Sequence, residues 1–218
     1  MEISSRKFTL IKNNSLKWLD WAKRLQAIAQ SGLTFSKDKY DIERYNQLRD
    51  IAAEITATYS DHEFGELQKL FQNEKGYATP KIDCRALIIK DDKILLVREI
   101  LDGKWTLPGG WIDVNESPRQ AVEKEVFEES GYTANAVRLL ALYDRNQHAH
   151  PGEIFHCYKA FFLCEITGGF PKTSIETDGV EFFTIDELPE LSLARILPEQ
   201  IRHLYKRVKS GMLEAEFD

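Results

Sequence analysis

The amino-acid sequence predicts an α+β fold: a small N-terminal helical domain, then a domain of strands, one central helix, more strands and a closing helix. Two observations predict it. Apolar residues recur at helical spacing in three segments of the first 73 residues. From Lys81 onward, short apolar runs bounded by turn residues take over, broken by one long helical stretch after Ser117. The expected boundaries are 1–73 for the helical domain, 74–81 for a linker and 82–218 for the second domain.

The first helix is expected over Leu16–Gln30, with Trp18, Trp21, Ala22, Leu25, Ile28 and Ala29 on one stripe and Gly32 ending it. A second runs over Lys39–Tyr59 and a third, short one over Glu63–Gln72. A bundle of roughly 70 residues is marginal alone and is expected to pack on something larger. Its aromatic side chains serve either core packing, a dimer contact or a wall of a substrate pocket. Gly76 and Pro80 mark the linker.

Strands are expected over Cys84–Lys90 and Ile94–Val97, joined by a turn at Asp91-Asp92-Lys93. Asp102-Gly103 is a second turn, and Trp105-Thr106-Leu107 leads into Pro108-Gly109-Gly110. Further strands are expected at Val137–Tyr143, Phe155–Ile166 and Val180–Thr184, before a closing helix at Ile196–Ser210.

The central helix carries the chemistry. Ser117 is its N-cap, Pro118 fits its first position, Gln120 completes an S-x-x-Q capping box, and Gly131 supplies the left-handed residue that closes it. Ala121, Val122 and Val126 are its apolar positions, with Phe127 beside them. Glu125, Glu128 and Glu129 stand at i, i+3 and i+4 and share one face. Three like charges on adjacent turns repel, and near a helix C-terminus the dipole disfavours them as well. A solvated acidic face is the simplest account; a bound divalent cation would resolve both conflicts. Oxygen ligands at this density, with no Cys/His pair nearby, suit Mg²⁺ or Mn²⁺ rather than zinc.

From Gly110 the sequence reads Gly, five residues, Glu116, seven residues, then Lys124-Glu-Val-Phe-Glu-Glu-Ser-Gly-Tyr132. This is similar to the signature box of the Nudix hydrolases, with Lys124 where the family has arginine. The segments GYATPKIDCRALI, WTLPGGW, DRNQHAHP, FHCYKAFFLCEITGG and ETDGVEFFTIDELPELSLAR resemble one Nudix subgroup with an N-terminal helical domain. That subgroup hydrolyses nucleoside diphosphates linked to another moiety, such as CDP-choline, ADP-ribose or an NDP-sugar, to NMP and phospho-X.

The resemblance implies a Nudix α/β/α sandwich with a mixed β-sheet and a metal-dependent pyrophosphatase. Glu125, Glu128 and Glu129 would be ligands of Mg²⁺ or Mn²⁺, with the carbonyl of Gly109 or Gly110 adding one more. Glu116 and Lys124 would support that cluster; lysine keeps the charge of arginine but loses its bidentate fork. The acid that activates water lies within Glu128, Glu153, Glu176 and Asp178, and His148 and His150 are further loop candidates. Substrate contacts are expected from Arg85, Arg98, Arg145, His148 and Trp111, although an outward strand charge also explains Arg85 and a structural role also explains Trp111. The subgroup implies a homodimer.

Composition bounds the rest. A net charge of −6 without a basic run argues against nucleic acid as the main partner. No apolar run of roughly 18 residues is present, so no membrane span is expected. MEISSRKFTLIKNN lacks the apolar core of a signal peptide. Cys84, Cys157 and Cys164, an odd count without CxxC spacing, read as reduced thiols, so the expected setting is cytoplasmic. Two alternatives share some of these features: a module that senses a nucleotide-sugar without cleaving it, and an RNA end-processing hydrolase.

Overall fold

A computed structural model describes residues 16–218 and has a helix in each segment where apolar spacing predicts one, with bounds that differ at several ends. The N-terminal stretch read for a signal peptide lies outside the described residues. The chain divides into two compact units, one running to Pro80 and including Gly152–His156, the other Lys81–Pro151 with Cys157–Asp218.

In the first unit, α1 (Lys17–Phe35) passes straight through Gly32. Gly32 is a contact position instead, since a Cβ there would overlap the ring of Tyr45. The buried stripe of α1 is also rotated from the expected one: Leu19, Ala22, Gln26, Ala29 and Gln30 face inward. The reason is polar. Gln26 donates to the Phe71 carbonyl at 3.4 Å, and Gln30 donates to the carbonyls of Lys75 and Gly76 at 3.3 and 3.2 Å. Trp21, Ile28 and Phe35, spaced by seven, are left 55%, 53% and 67% exposed. α2 (Lys39–Tyr59) begins at Asp38, whose carboxylate accepts from the Tyr40 and Asp41 N–H groups, and α3 (Phe64–Asn73) follows. Ala52 and Ala53 of α2 pack on Leu67 and Phe71 of α3, with Leu25 and Ile154 against them.

In the second unit the strands are β1 (Lys81–Lys90), β2 (Lys93–Glu99), β3 (Trp105–Thr106), β4 (Tyr132–Asp144), β5 (Cys157–Gly169), β6 (Thr177–Thr184) and β7 (Glu216–Phe217). They run in the order β3-β2-β1-β5-β4-β7, with β6 also on β2. The sheet is mixed: β1 and β5 are parallel, β4 and β5 antiparallel. The strands at 132, 157 and 177 differ in length from those expected because turn residues at their ends, among them Gly168 and Gly169, stay in the ladder. Asp91 and Asp92 make the β1–β2 turn with φ of 50° and 60°, a conformation short polar side chains tolerate.

Helices cover both faces. α4 (Pro118–Ser130) buries Ala121, Val122 and Val126 against Cys84, Ala86, Ile88 and Leu95. α5 (Pro198–Lys209) buries Ile201 and Leu204 against Leu87, Ile94, Leu96 and Phe161. This is the α/β/α sandwich expected. β7 had no counterpart in the sequence reading. Glu216 holds it, bonded to Tyr143, to His203 at 2.7 Å and to Arg207 at 3.0 Å.

Candidate active site

α4 starts and stops as its sequence dictates. The Ser117 hydroxyl accepts the Gln120 N–H at 3.2 Å, the Gln120 side chain accepts the Ser117 N–H at 3.0 Å, and Gly131 closes the helix with φ 75°. Between those ends the three box glutamates have graded exposure: Glu129 is buried, Glu125 half-buried and Glu128 exposed. Phe127 also points outward, at 58% exposure, so it belongs to the surface and not to the apolar face.

The loop before the box is laid along β1 by three backbone hydrogen bonds. Ala86 N–H donates to Pro108 O and Cys84 N–H to Gly110 O, both at 2.8 Å, and Ile112 N–H donates to Ile82 O at 3.0 Å. Only glycine fits at 109. Its φ is 146°, and a Cβ would overlap the carbonyl of Cys84. This close approach brings the diglycine to the glutamates. Gly109 N–H donates to Glu129 Oε2 at 2.8 Å, and a Cβ on Gly110 would lie 3.0 Å from Glu125 Oε1.

Glu125 and Glu129 are therefore two carboxylates crowded onto one turn. Burial pushes Glu125 up to about 7, with Glu128 and Glu176 adding repulsion against the pull of Arg85 and Lys124. Burial pushes Glu129 up to about 8, opposed by Arg85 and the Gly109 N–H and reinforced by Glu125 and Glu99. Among the described residues, no three His, Cys, Asp or Glu side chains are gathered tightly enough to enclose an ion as they stand. The donor set nonetheless suits a hard divalent cation: two carboxylates and a backbone turn share a site where their charged forms lack enough positive partners.

Behind the turn lies a buried charge triad. Arg85 donates from Nε and Nη2 to Asp83 at 3.0 and 2.7 Å, and from Nη1 to Leu107 O at 3.2 Å; Lys159 donates to Asp83 Oδ1 at 2.9 Å. Burial pushes the Asp83 carboxyl up, but Arg85 and Lys159 outweigh it and hold it below the ordinary range. Arg85 is thus neither an outward strand charge nor a surface phosphate contact: it is 4% exposed and faces Asp83 and the box. Asp83 and Lys159 were missed. The signal was there, because Asp83 and Arg85 stand at i and i+2 of an otherwise apolar strand, and so on one face. Glu99 was missed too. It is buried at the end of β2 and paired with Arg195 at 2.9 Å.

Lys124 spans two acids, Asp113 at 3.1 Å and Glu116 at 2.9 Å, and the Glu116 hydrogen bond leads in raising its amine above the ordinary lysine range. A single ammonium reaches only Glu116 Oε1; Oε2 is buried and has no hydrogen-bond partner. Lys124→Arg supplies a second donor to that oxygen. It is expected to raise stability by about 1 kcal/mol in urea denaturation, without loss of activity.

The other predicted residues have partners of their own or stand exposed. Arg98 pairs with Asp178 at 2.7 Å and lies over the Trp105 ring at 5.8 Å, which engages Asp178 as a salt-bridge partner. Glu176 is exposed, and its charge is one of those raising Glu125 and Glu99. Trp111 is 49% exposed, with its backbone bridged to Asp83. Arg145 is buried and donates to Ala194 O at 3.3 Å. His148 packs against Tyr143 with the rings tilted by 40° and their centres 4.5 Å apart and contacts Asp218 at 3.2 Å, while His150 Nδ1 contacts Leu193 O at 2.7 Å. Burial pulls the His150 imidazole down to about 4, so it is neutral at pH 7. Glu153 falls in the first unit.

Comparison with known proteins agrees with this geometry. Residues 80–207 match the NUDIX domain, and residues 16–71 match the UDP-X-like, N-terminal oligomerisation domain. A protein of Bacillus subtilis (strain 168), named provisionally as an ADP-ribose pyrophosphatase, is 45% identical over 93% of this chain and 97% of its own length. The crystal structure of a UDP-X diphosphatase superposes with a TM-score of 0.61 at 37% identity, covering 93% of this chain and 98% of that one. The crystal structure of an ADP-ribose pyrophosphatase from Streptococcus suis 89-1591 covers 64% of this chain and all of that one, with a TM-score of 0.59 and 41% identity.

Proposed function

Because this chain belongs to the Nudix hydrolase family and is a pyrophosphohydrolase with a UDP-X-like N-terminal domain, we propose that it hydrolyses the pyrophosphate of a nucleoside diphosphate linked to X. The products are NMP and phospho-X. ADP-ribose is the first candidate, since relatives aligned over most of their own length carry that name; CDP-choline and NDP-sugars follow. The observation that carries the reading is the convergence of Glu125 and Glu129 on the Gly109-Gly110 turn.

Glu125, Glu129 and Glu128 would hold Mg²⁺ or Mn²⁺. The carbonyl of Gly109 would add the backbone ligand. When bound, the cation neutralises non-bridging phosphate oxygens and makes a bound water more acidic. The protein's own groups do the remainder. Glu176 takes the proton of the attacking water, whose oxygen adds to one phosphorus as the bridging P–O bond breaks; Asp178 is engaged by Arg98 and Glu128 is committed to the cation. Glu116 and Lys124 hold the box in register. Arg85 supplies positive charge behind Glu129. Arg98, at the surface, and Trp111 are the substrate contacts assigned here, Trp111 offering a face for the base.

The test is a panel of ADP-ribose, CDP-choline, NDP-sugars and dinucleoside polyphosphates, with Mg²⁺, with Mn²⁺ and with chelator. Metal-dependent NMP release from an NDP-X compound is expected; turnover of none of them overturns the reading.

The assembly proposed is a homodimer through α1, on the exposed stripe Trp21, Ile28 and Phe35. Their spacing suits a partner helix, and burying three large apolar side chains supplies several kcal/mol, at roughly 1.5–3 kcal/mol each. Trp21→Ser with Phe35→Ser is expected to move the species seen by light scattering from dimer to monomer. The setting assigned is cytoplasmic, in accord with three buried free thiols. No helix among the described residues is long and apolar enough to cross a membrane.

A further inference from the structure

The segment between β5 and β6 is built onto the C-terminal end of the box helix. The last four carbonyls of a helix have no partner within it, and this segment takes two of them in α4. Lys172 N–H donates to Ser130 O at 2.9 Å, and the Thr177 hydroxyl donates to Glu129 O at 2.6 Å. Thr177 is fully buried. Since its proton goes to Glu129, its oxygen is the acceptor for the Ser174 hydroxyl at 3.1 Å. Ser174 Oγ in turn accepts the N–H groups of Glu176 and Thr177, both at 3.1 Å. On its other side Glu176 is fixed by Ile100, whose N–H donates to the Glu176 carbonyl at 2.9 Å.

The backbone of Glu176 is thus clamped from both sides. One clamp leads, through Ser174 and the Thr177 hydroxyl, to the residue whose carboxylate meets Gly109. One hydroxyl therefore donates to the end of the box helix and accepts from the turn that carries Glu176. The charge of Glu176 is among those that raise Glu125 and Glu99.

We propose that Thr177 is a positioning residue for the hydrolysis: its hydroxyl, bridging Ser174 and the Glu129 carbonyl, sets where the carboxylate of Glu176 stands relative to the box glutamates. The proposal rests on the assignment of Glu176 as the base. Valine matches threonine in shape and loses both bonds; serine keeps both.

The experiment is a double-mutant cycle on the Mg²⁺-loaded enzyme, with the best substrate of the panel. Thr177→Val is expected to lower kcat by about 10- to 100-fold, as a displaced catalytic group does, with KM within about twofold. Thr177→Ser is expected to restore most of the loss. Glu176→Gln is expected to lower kcat by about 100-fold or more. With Glu176→Gln already present, adding Thr177→Val costs less than about twofold, because the group being positioned is gone. Thr177→Val at the wild-type rate overturns the proposal, as does Thr177→Ser no better than valine. A Thr177→Val loss that persists in the Glu176→Gln background overturns the coupling and leaves the base assignment standing. Glu176→Gln at the wild-type rate removes the base assignment itself, and the proposal with it.

Discussion

Glu129→Gln is expected to lower kcat by about 100- to 1000-fold while the protein stays folded, because it removes the charge of a carboxylate proposed to hold the cation, worth several kcal/mol in the transition state. The same position shapes the response to pH. Glu125 and Glu129 are pushed to about 7 and about 8 by burial, above the usual carboxylate range. Carboxyls raised in this way bind more protons folded than unfolded, so stability falls with rising pH. Their contribution is fully present below the unfolded value near 4.5 and is lost as pH climbs through 7 and 8. Metal-free protein is expected to lose thermal stability between pH 5 and 8, Mg²⁺ to restore it at pH 8, and Glu129→Gln to flatten the metal-free slope. A slope of the opposite sign, or one unchanged in Glu129→Gln, contradicts the crowding of these carboxyls.

Asp83→Asn is expected to cost about 3–5 kcal/mol, the usual effect of removing one partner from a buried ion pair. Asp83 carries the pairing of two buried cations, and the substitution takes from Arg85 and Lys159 the carboxylate to which both are hydrogen-bonded. Urea denaturation at pH 7 measures the loss. Adding Lys159→Met to Asp83→Asn should recover part of it, since one unpaired charge is then removed. A single-mutant loss under about 1 kcal/mol would mean that water or another group reaches the triad.

How much was legible depended on how local the cause was. The box helix was readable to the residue at both ends because Ser117, Gln120 and Gly131 act on backbone within a turn of themselves. The Asp91-Asp92 turn and the bounds of α2 were readable for the same reason. The inward face of α1 was not, because Gln26 and Gln30 are buried by carbonyls 45 residues away. Nor were the fates of Arg98 and His148: their acids, Asp178 and Asp218, lie 80 and 70 residues along the chain. A basic side chain looks the same in sequence whether or not a carboxylate that far along the chain stands beside it. Lys124 was read correctly as lacking the arginine fork, and the consequence is visible as the unpaired oxygen of Glu116.

The hydrogen bonds that lay the Pro108–Ile112 loop on β1 bear on when order is acquired. Loops that gather an ion are often shaped by it, and the entropy of arranging them then weakens binding. Here the turn is part of a strand ladder and has its form as soon as β1 does. A cation bound by the proposed ligands would meet a backbone already in place, and the rearrangement left to it would be confined to side chains, the exposed Glu128 among them. Exchange of one metal for another should therefore be a fast, local event, leaving the amides of Cys84, Ala86 and Ile112 as protected from deuterium as before.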